Sequence, residues 1–361
     1  MGSEADSRGA NGLYNFRKPI PEGWLELSRS LLETLSATAA FQRLKRIRFL
    51  GAIDYTLIKR PDYKRGNVRH TRYHHSRGVA RLAIDYAAKV ELEKDETLTL
   101  IAAALLHDVG HAPLSHSVEP VFKKLFGVGH HEATEAIIKG DTAIGREVHG
   151  VLRAELIDID RVLALISGSD NSFHSFFSGP INFDTIEGIL RSYSYIARSP
   201  QIPNPHYVVD AAMRRLSVRD RDVVDQFWHY KDRVYRSIVN SRDGLVADYL
   251  CQLTVFANAK SLSVEDYFLT DERFFHHVPG LKEVLASTAI SRLAAAIPED
   301  VVFSRERRFY VDSQFDFFLR DDRRYQQTRR SKQLADLVVD VSALERSSFD
   351  DDISRQLSLF D

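Results

Sequence analysis

Apolar residues along the 361-residue chain recur mainly at intervals of three and four, the spacing that gathers them on one helix face. Leu25, Leu27, Leu31, Leu32 and Leu35 open the pattern; Phe41, Leu44, Ile47, Phe49 and Leu50 resume it after a break at Ser36-Ala37-Thr38. The periodicity predicts helices over Ser76–Val90, Thr97–Leu106, Glu132–Lys139 and Ala143–Leu156. Gly110 is expected to close the second of these in a left-handed conformation. Phe183, Ile186, Ile189, Leu190 and Tyr193 place one apolar face on another helix. Two segments interrupt the pattern as loops: Tyr55–His70, with Pro61, Gly66 and five basic residues, and Ser167–Pro180, rich in Gly, Ser, Asp and Asn.

The Pro-rich stretch Ser199–Pro205 marks a subdomain boundary, after which long helices are expected through Asn258 with a soft break at Gly244. Ser263 and Asp266 have the spacing of a helix-start cap. Val301–Val311 alternates apolar and charged residues and is expected as a strand, whereas Arg320–Arg330 is dense enough in Arg, Asp and Gln to be expected as a solvated face. The fold class is mainly α, with little β structure confined to the C-terminal part. The expected organisation is a flexible tail and entry segment at 1–22, a helical core at 23–198, a helical extension completing it at 199–258, and a C-terminal α(+β) region at 259–361.

Composition adds limits. With 44% hydrophobic and 27% charged residues the chain can bury a sizeable core without staples. Forty-nine basic against fifty acidic side chains leave a net charge of -1, which gives no global reason to expect nucleic acid or an anionic membrane as main partner. The single cysteine, Cys251, lies in an apolar run and is expected buried and inert. No apolar stretch approaches a bilayer span of ~20 residues, and Met1–Asn15 lacks the apolar centre of a signal peptide, so a cytoplasmic location is expected.

The chemistry concentrates in Arg72-Tyr73-His74-His75-Ser76 and in the stretch from Leu105 to His116. His107 and Asp108 close the apolar run Ile101–Leu106, which is expected to be a buried helix. Burying such groups without partners costs several kcal/mol, and a bound cation would satisfy them. His75, His111, His116, His130 and His131 add five further imidazoles within about sixty residues.

His75, the pair His107-Asp108 and the later Asp184 resemble the H…HD…D pattern of HD-domain phosphohydrolases. The likeness is closest to the dNTP triphosphohydrolase branch that includes the SAM-and-HD-domain enzymes. Phe41-Gln42-Arg43-Leu44 is similar to that branch's helix before the site, and His107–His116 to its HDxGHxPxSH segment; the likeness runs from about Gly23 to Leu253. It implies an HD-domain helical bundle and one divalent metal held by His75, His107, Asp108 and Asp184. The mixed nitrogen and oxygen donors suit Mn, Fe, Co, Ni or Zn, with Mg possible. It further implies an acid–base group of His111, His116, Glu119 and His131, with His130 as the spare, and substrate phosphate binding by Arg72 and Lys231. A small-molecule nucleotide or phosphate ester as substrate, and assembly into a homo-oligomer, follow from the same likeness.

The sugar-binding end departs from the branch. Its glutamine in the first helix is Phe49 here, its lysine and tyrosine after the last ligand are Thr185 and Gly188, its aspartate is Ser192, and a further tyrosine is Val239. Tyr193, Tyr195, Tyr230 and Tyr235 are candidates to stack on a base or to fill the core. The reading is therefore a (d)NTP triphosphohydrolase-like enzyme with a rebuilt sugar and base pocket. The alternatives are a nucleoside monophosphate phosphatase, a nucleotide phosphodiesterase, or a nucleotide-sensing module without turnover.

Overall fold

The computed structural model describes residues 22–56, 70–170, 172–173, 179, 181–197, 202–214, 217–286, 305–317 and 321–331. The expected N-terminal tail, nearly all of the basic loop before His70, much of the Ser167–Pro180 loop, and most of the region beyond 286 lie outside them.

The helix expected from the run ending at Leu106 is the centre of the protein. Helix α5 (Lys94–Leu106) is buried along its whole length from Thr97 onward, and packs against α1 (Glu22–Ala37), α4 (Arg72–Lys89) and α9 (Ile159–Ser167). Because apolar residues cover all its faces, it can only be stable surrounded by others. Helix α10 (Phe183–Tyr193) lies on α4, and α11 (Pro205–Arg214) and α12 (Val218–Val234) lie on α10. This arrangement sets the start of α4, the end of α5 and the start of α10 side by side.

A second core joins the loop after α5 to the following helices. Ala112, Leu114, Val118 and Phe122 pack with Val246, Leu250 and Cys251 of α13 (Arg242–Ala257) and with Tyr267, Phe274 and Leu281. Residues on both sides of the expected 258/259 boundary thus share one interior. Cys251 is fully buried. The break expected at Gly244 lies earlier, at the π-turn Tyr235–Val239; Gly244 instead donates its N–H to the Ser241 cap, 3.1 Å away. Ser263 and Asp266 form the expected capping box.

The C-terminal β structure is one antiparallel pair, Arg305–Val311 with Tyr325–Ser331, in which Val311 faces Tyr325 and Arg305 faces Ser331. The expectation of a solvated face over Arg320–Arg330 holds at Arg323, Gln327 and Thr328, which are exposed, and is corrected at Arg324 and Tyr325. Tyr325 is buried, and Arg324 is buried with its guanidinium on Asp225 at 2.5 and 2.9 Å. Cross-strand pairing and a carboxylate partner let this charged sequence fold inward.

Gly110 is a second correction. It is not among the residues with positive φ. A Cβ on it would stand 2.3 Å from the Thr134 backbone nitrogen, so glycine is needed for close approach of the loop to α7 (His130–Lys139). The left-handed residues of this loop are Leu114 and Ser115, at φ 54° and 51°. Strain of this kind persists only where surrounding contacts over-determine it. Among the described residues no helix is long and apolar enough to cross a membrane.

Candidate metal centre

His75 comes from the first turn of α4, His107 and Asp108 follow the last turn of α5, and Asp184 sits in the first turn of α10, whose Asn182 caps the Thr185 N–H at 2.6 Å. The four side chains converge. Asp184 Oδ1 lies 3.0 Å from His75 Nε2 and 3.7 Å from His107 Nε2. Asp108 Oδ2 lies 3.4 and 3.5 Å from the same two nitrogens.

Hydrogen bonds behind the rings decide what those nitrogens offer. His107 Nδ1 donates to the Ala104 carbonyl at 2.9 Å, and His75 Nδ1 donates to Glu187 Oε2 at 2.6 Å. In the neutral rings the lone pairs therefore sit on Nε2, aimed at the carboxylates. Both Nε2 atoms are buried without a hydrogen-bond partner. Donors about 2.0–2.2 Å from one shared ion stand roughly 3–3.5 Å apart, which is close to the spacing found. The residues fit a divalent transition metal.

Without the ion, protons serve the carboxylates instead. Burial opposes a charge on His75, but Asp184 and Glu187 outweigh it and push His75 up to about 9; His107 is also raised despite burial, by Asp108 and Asp184. Burial works against Asp108 too, yet His107, His111 and Arg72 hold it well below the usual carboxylate range. Asp184 differs in exposure: its side chain is 52% accessible, whereas His75 is fully enclosed. The site therefore opens on the Asp184 side.

Several supporting groups escaped sequence reasoning. Glu187 is buried, bonds His75, and is held in turn by Arg191 at 3.0 Å. A Cβ on Gly78 would stand 2.3 Å from the Glu187 carboxylate, so that glycine admits the partner of His75. Arg43, belonging to the Phe41–Leu44 motif, donates to the carbonyls of Val109 at 3.0 Å and His111 at 2.7 Å. Asp271, far along the chain, accepts from the Leu114 and Arg48 N–H groups at 2.7 and 2.9 Å and from the Tyr55 hydroxyl at 2.9 Å. The i, i+3 spacing of Asp184 and Glu187 was a legible signal that both share a helix face. Glu187→Gln is expected to weaken metal retention about 10–100-fold, the usual effect of losing a ligand's outer partner; metal analysis of dialysed protein checks this, and unchanged retention would reject the role.

Arg72 is buried, with Nη1 on Asp108 Oδ2 at 2.7 Å, Nε on Ser115 Oγ at 2.9 Å and its guanidinium 5.0 Å from the Phe49 ring centroid. It thus grips a candidate ligand directly. Lys231 is buried against Trp228 and Phe309, its Nζ 4.4 and 4.7 Å from the ring centroids. Burial pushes it down to about 8, although the Asp184 charge pulls the other way.

The acid–base candidates form a neighbouring group. His111 Nε2 donates to Asp108 Oδ1 at 3.1 Å. Glu119 joins His116 Nδ1 at 3.0 Å to His130 Nδ1 at 2.7 Å. The structure brings His130 to Glu119; His131, chosen over it from sequence, is exposed, with its ring 3.9 Å from that of His130. Burial and the nearby Arg72 charge keep His111 well below the usual imidazole range.

The remaining pocket candidates are engaged within the fold. Phe49 packs on His75, ring centroids 4.8 Å apart, and a Cβ on Gly188 would lie 3.5 Å from both rings. Tyr193 packs on Tyr230 at 4.4 Å, Tyr195 on His70 at 5.1 Å, and Tyr235 on Phe309 at 4.7 Å.

Residues 72–167 match the HD domain family model. The chain is 28% identical to the uncharacterized protein YwfO of Bacillus subtilis over 214 residues, covering 58% of this chain and 45% of that protein. It is 27% identical to the uncharacterized protein MG461 of Mycoplasma genitalium, covering 69% and 59%. The deoxynucleoside triphosphate triphosphohydrolase SAMHD1 homolog of Dictyostelium discoideum is 24% identical over 195 residues, 50% of this chain and 36% of that one. The chain spans about half the length of the first two relatives.

Proposed function

The chain carries an HD domain, and on that premise we propose that it is a metal-dependent phosphohydrolase acting on a nucleotide or related phosphate compound. The observation that carries this reading is the pair of buried, unpartnered Nε2 atoms of His75 and His107 facing Asp108 and Asp184. A divalent transition ion, which these four residues would hold, would supply Lewis acidity toward a phosphoryl oxygen and the means to activate water.

The protein's own groups do the rest. Glu119 accepts from His116 Nδ1 and so fixes that ring's tautomer, leaving Nε2 to take or give a proton. His111 orients Asp108 through its second oxygen. Arg72 and Lys231 supply positive charge for a phosphate, Arg72 while still holding Asp108. Arg72→Ala should therefore raise KM and also weaken metal retention about 10–100-fold. A rise in KM with metal fully retained would reduce Arg72 to a phosphate contact.

The finer reading is a (d)NTP triphosphohydrolase-like enzyme whose sugar pocket has been rebuilt. It is supported by the likeness to a deoxynucleoside triphosphate triphosphohydrolase homolog and by the apolar wall of Phe49 against His75 opposite Gly188. A wall without hydrogen-bonding groups discriminates weakly between sugar hydroxyl patterns. That same wall favours, as second reading, a monophosphate phosphatase or phosphodiesterase with little demand on the sugar. Product-resolved assay of nucleoside mono-, di- and triphosphates and of cyclic and dinucleotide diesters separates these, since inorganic triphosphate, phosphate and nucleoside monophosphate each name a different bond. Failure to turn over any of them after loading with Mn, Fe, Co, Ni, Zn or Mg would defeat the enzyme reading.

A further inference from the structure

Beside the first site, His111, His116, Glu119 and His130 each present a ligand atom, and the four atoms lie within 4.8 Å of one another. Acid–base chemistry needs one imidazole and an orienting carboxylate; three imidazoles gathered around one carboxylate exceed that need. The His111 and His130 rings stack at 4.7 Å with planes 7° apart, and the His116 ring meets His111 edge-on at 4.5 Å.

His111 provides an independent sign of a missing ligand. Its Nε2 gives its proton to Asp108, so the lone pair is on Nδ1. That Nδ1 is buried without a hydrogen-bond partner, in a residue only 1% exposed. An unsatisfied polar atom in such a place is costly and calls for an occupant.

We propose that His111, His116, His130 and Glu119 form a second divalent-cation site, distinct from that of His75, His107, Asp108 and Asp184. Three imidazoles and one carboxylate make a donor set suited to Zn²⁺, Co²⁺ or Ni²⁺, while Mg²⁺ and Ca²⁺ prefer oxygen ligands. His116, whose side chain is 62% accessible, provides the entrance. Binding at the Nδ1 atoms that now donate to Glu119 requires that those protons move to Nε2 and that the His130 ring turn out of its stack on His111, because a ring nitrogen's lone pair lies in the ring plane.

The two sites are linked through one carboxylate, because Asp108 faces the first with Oδ2 and holds His111 with Oδ1. Filling the second site ties up His116 and Glu119. Where the hydrolase reading holds, transition metal beyond the first equivalent therefore slows turnover. This consequence rests on that reading; the site itself does not.

Equilibrium dialysis of the metal-stripped full chain against Zn²⁺ and Co²⁺, with the Co²⁺ absorption spectrum recorded at each equivalent, tests the proposal. Wild type should bind two ions per chain with different spectra. His116→Asn and Glu119→Gln should keep the first and weaken the second by at least about tenfold, as loss of even an outer partner does. Asp184→Ala should lose the first and keep the second. His116→Asn alters an accessible side chain, so a fold check by circular dichroism should match wild type. Saturation of wild type at one ion, or a second ion indifferent to both His116→Asn and Glu119→Gln, would overturn the second site. Turnover that persists in metal-free protein would instead overturn the hydrolase reading and leave these stoichiometries untouched.

Discussion

Asp184→Ala is expected to release the metal and to lower turnover by about 10³-fold or more, since a catalytic metal supplies several kcal/mol and each 1.36 kcal/mol is tenfold in rate. The fold should survive, because the Asp184 side chain is 52% accessible. Asp108→Ala should also abolish turnover, but it is a poorer probe. Asp108 is buried and holds both Arg72 and His111. Its removal strands a buried guanidinium, at about 3–5 kcal/mol. Metal content, turnover and thermal melting of the two variants separate the effects. Asp184→Ala protein that keeps stoichiometric metal at the His75–His107 site and full activity would place the chemistry elsewhere.

Asp271→Ala should be among the most destabilising single changes, although Asp271 is not a candidate ligand. It would leave the buried Leu114 N–H and the part-buried Arg48 N–H without their acceptor. At about 1–3 kcal/mol each the loss is about 2–6 kcal/mol, readable by denaturant unfolding. Leu114 holds a left-handed φ of 54° between Asp108 and His116, so turnover should fall even where the variant remains folded. Folding stability and rate both unchanged would remove Asp271 from the support of this loop.

The same residue sets a pH signature. Burial outweighs its three donors and pushes the Asp271 carboxyl up to about 6, above the unfolded value of about 3.9. The folded state therefore binds the proton more tightly, and this residue's contribution is greatest at low pH and declines as pH rises from about 4 to about 6. The stability gap between wild type and Asp271→Asn should be wider at pH 4 than at pH 7. A gap that widens with rising pH would mean that Asp271 gains, rather than loses, by ionising in the fold.

Much of the scaffold was legible because it is local. A helix announces itself through residues three and four apart, and α5, α7 and α10 lie where that spacing placed them, with boundaries shifted by a few residues. Charge density in Arg320–Arg330 misled because partners were invisible: Asp225 receives Arg324 across about a hundred residues of chain. Gly110 misled for a related reason, since a glycine at a helix end and a glycine at a helix crossing look alike until the neighbour is known.

The sequence by itself determined which side chains are proposed as donors and in what order, His75, His107, Asp108 and Asp184, because metal chemistry needs particular side chains and the resemblance to the HD pattern singles these out. Only the tertiary structure decided what holds them. Glu187 behind His75, Arg43 on the loop carbonyls and Asp271 on Leu114 act across 112, 68 and 157 residues of chain respectively. Only packing, likewise, chose His130 over His131 as the partner of Glu119. Neighbouring helical residues point about 100° apart, so one faces the site and the other solvent, and which is which depends on how α7 is seated.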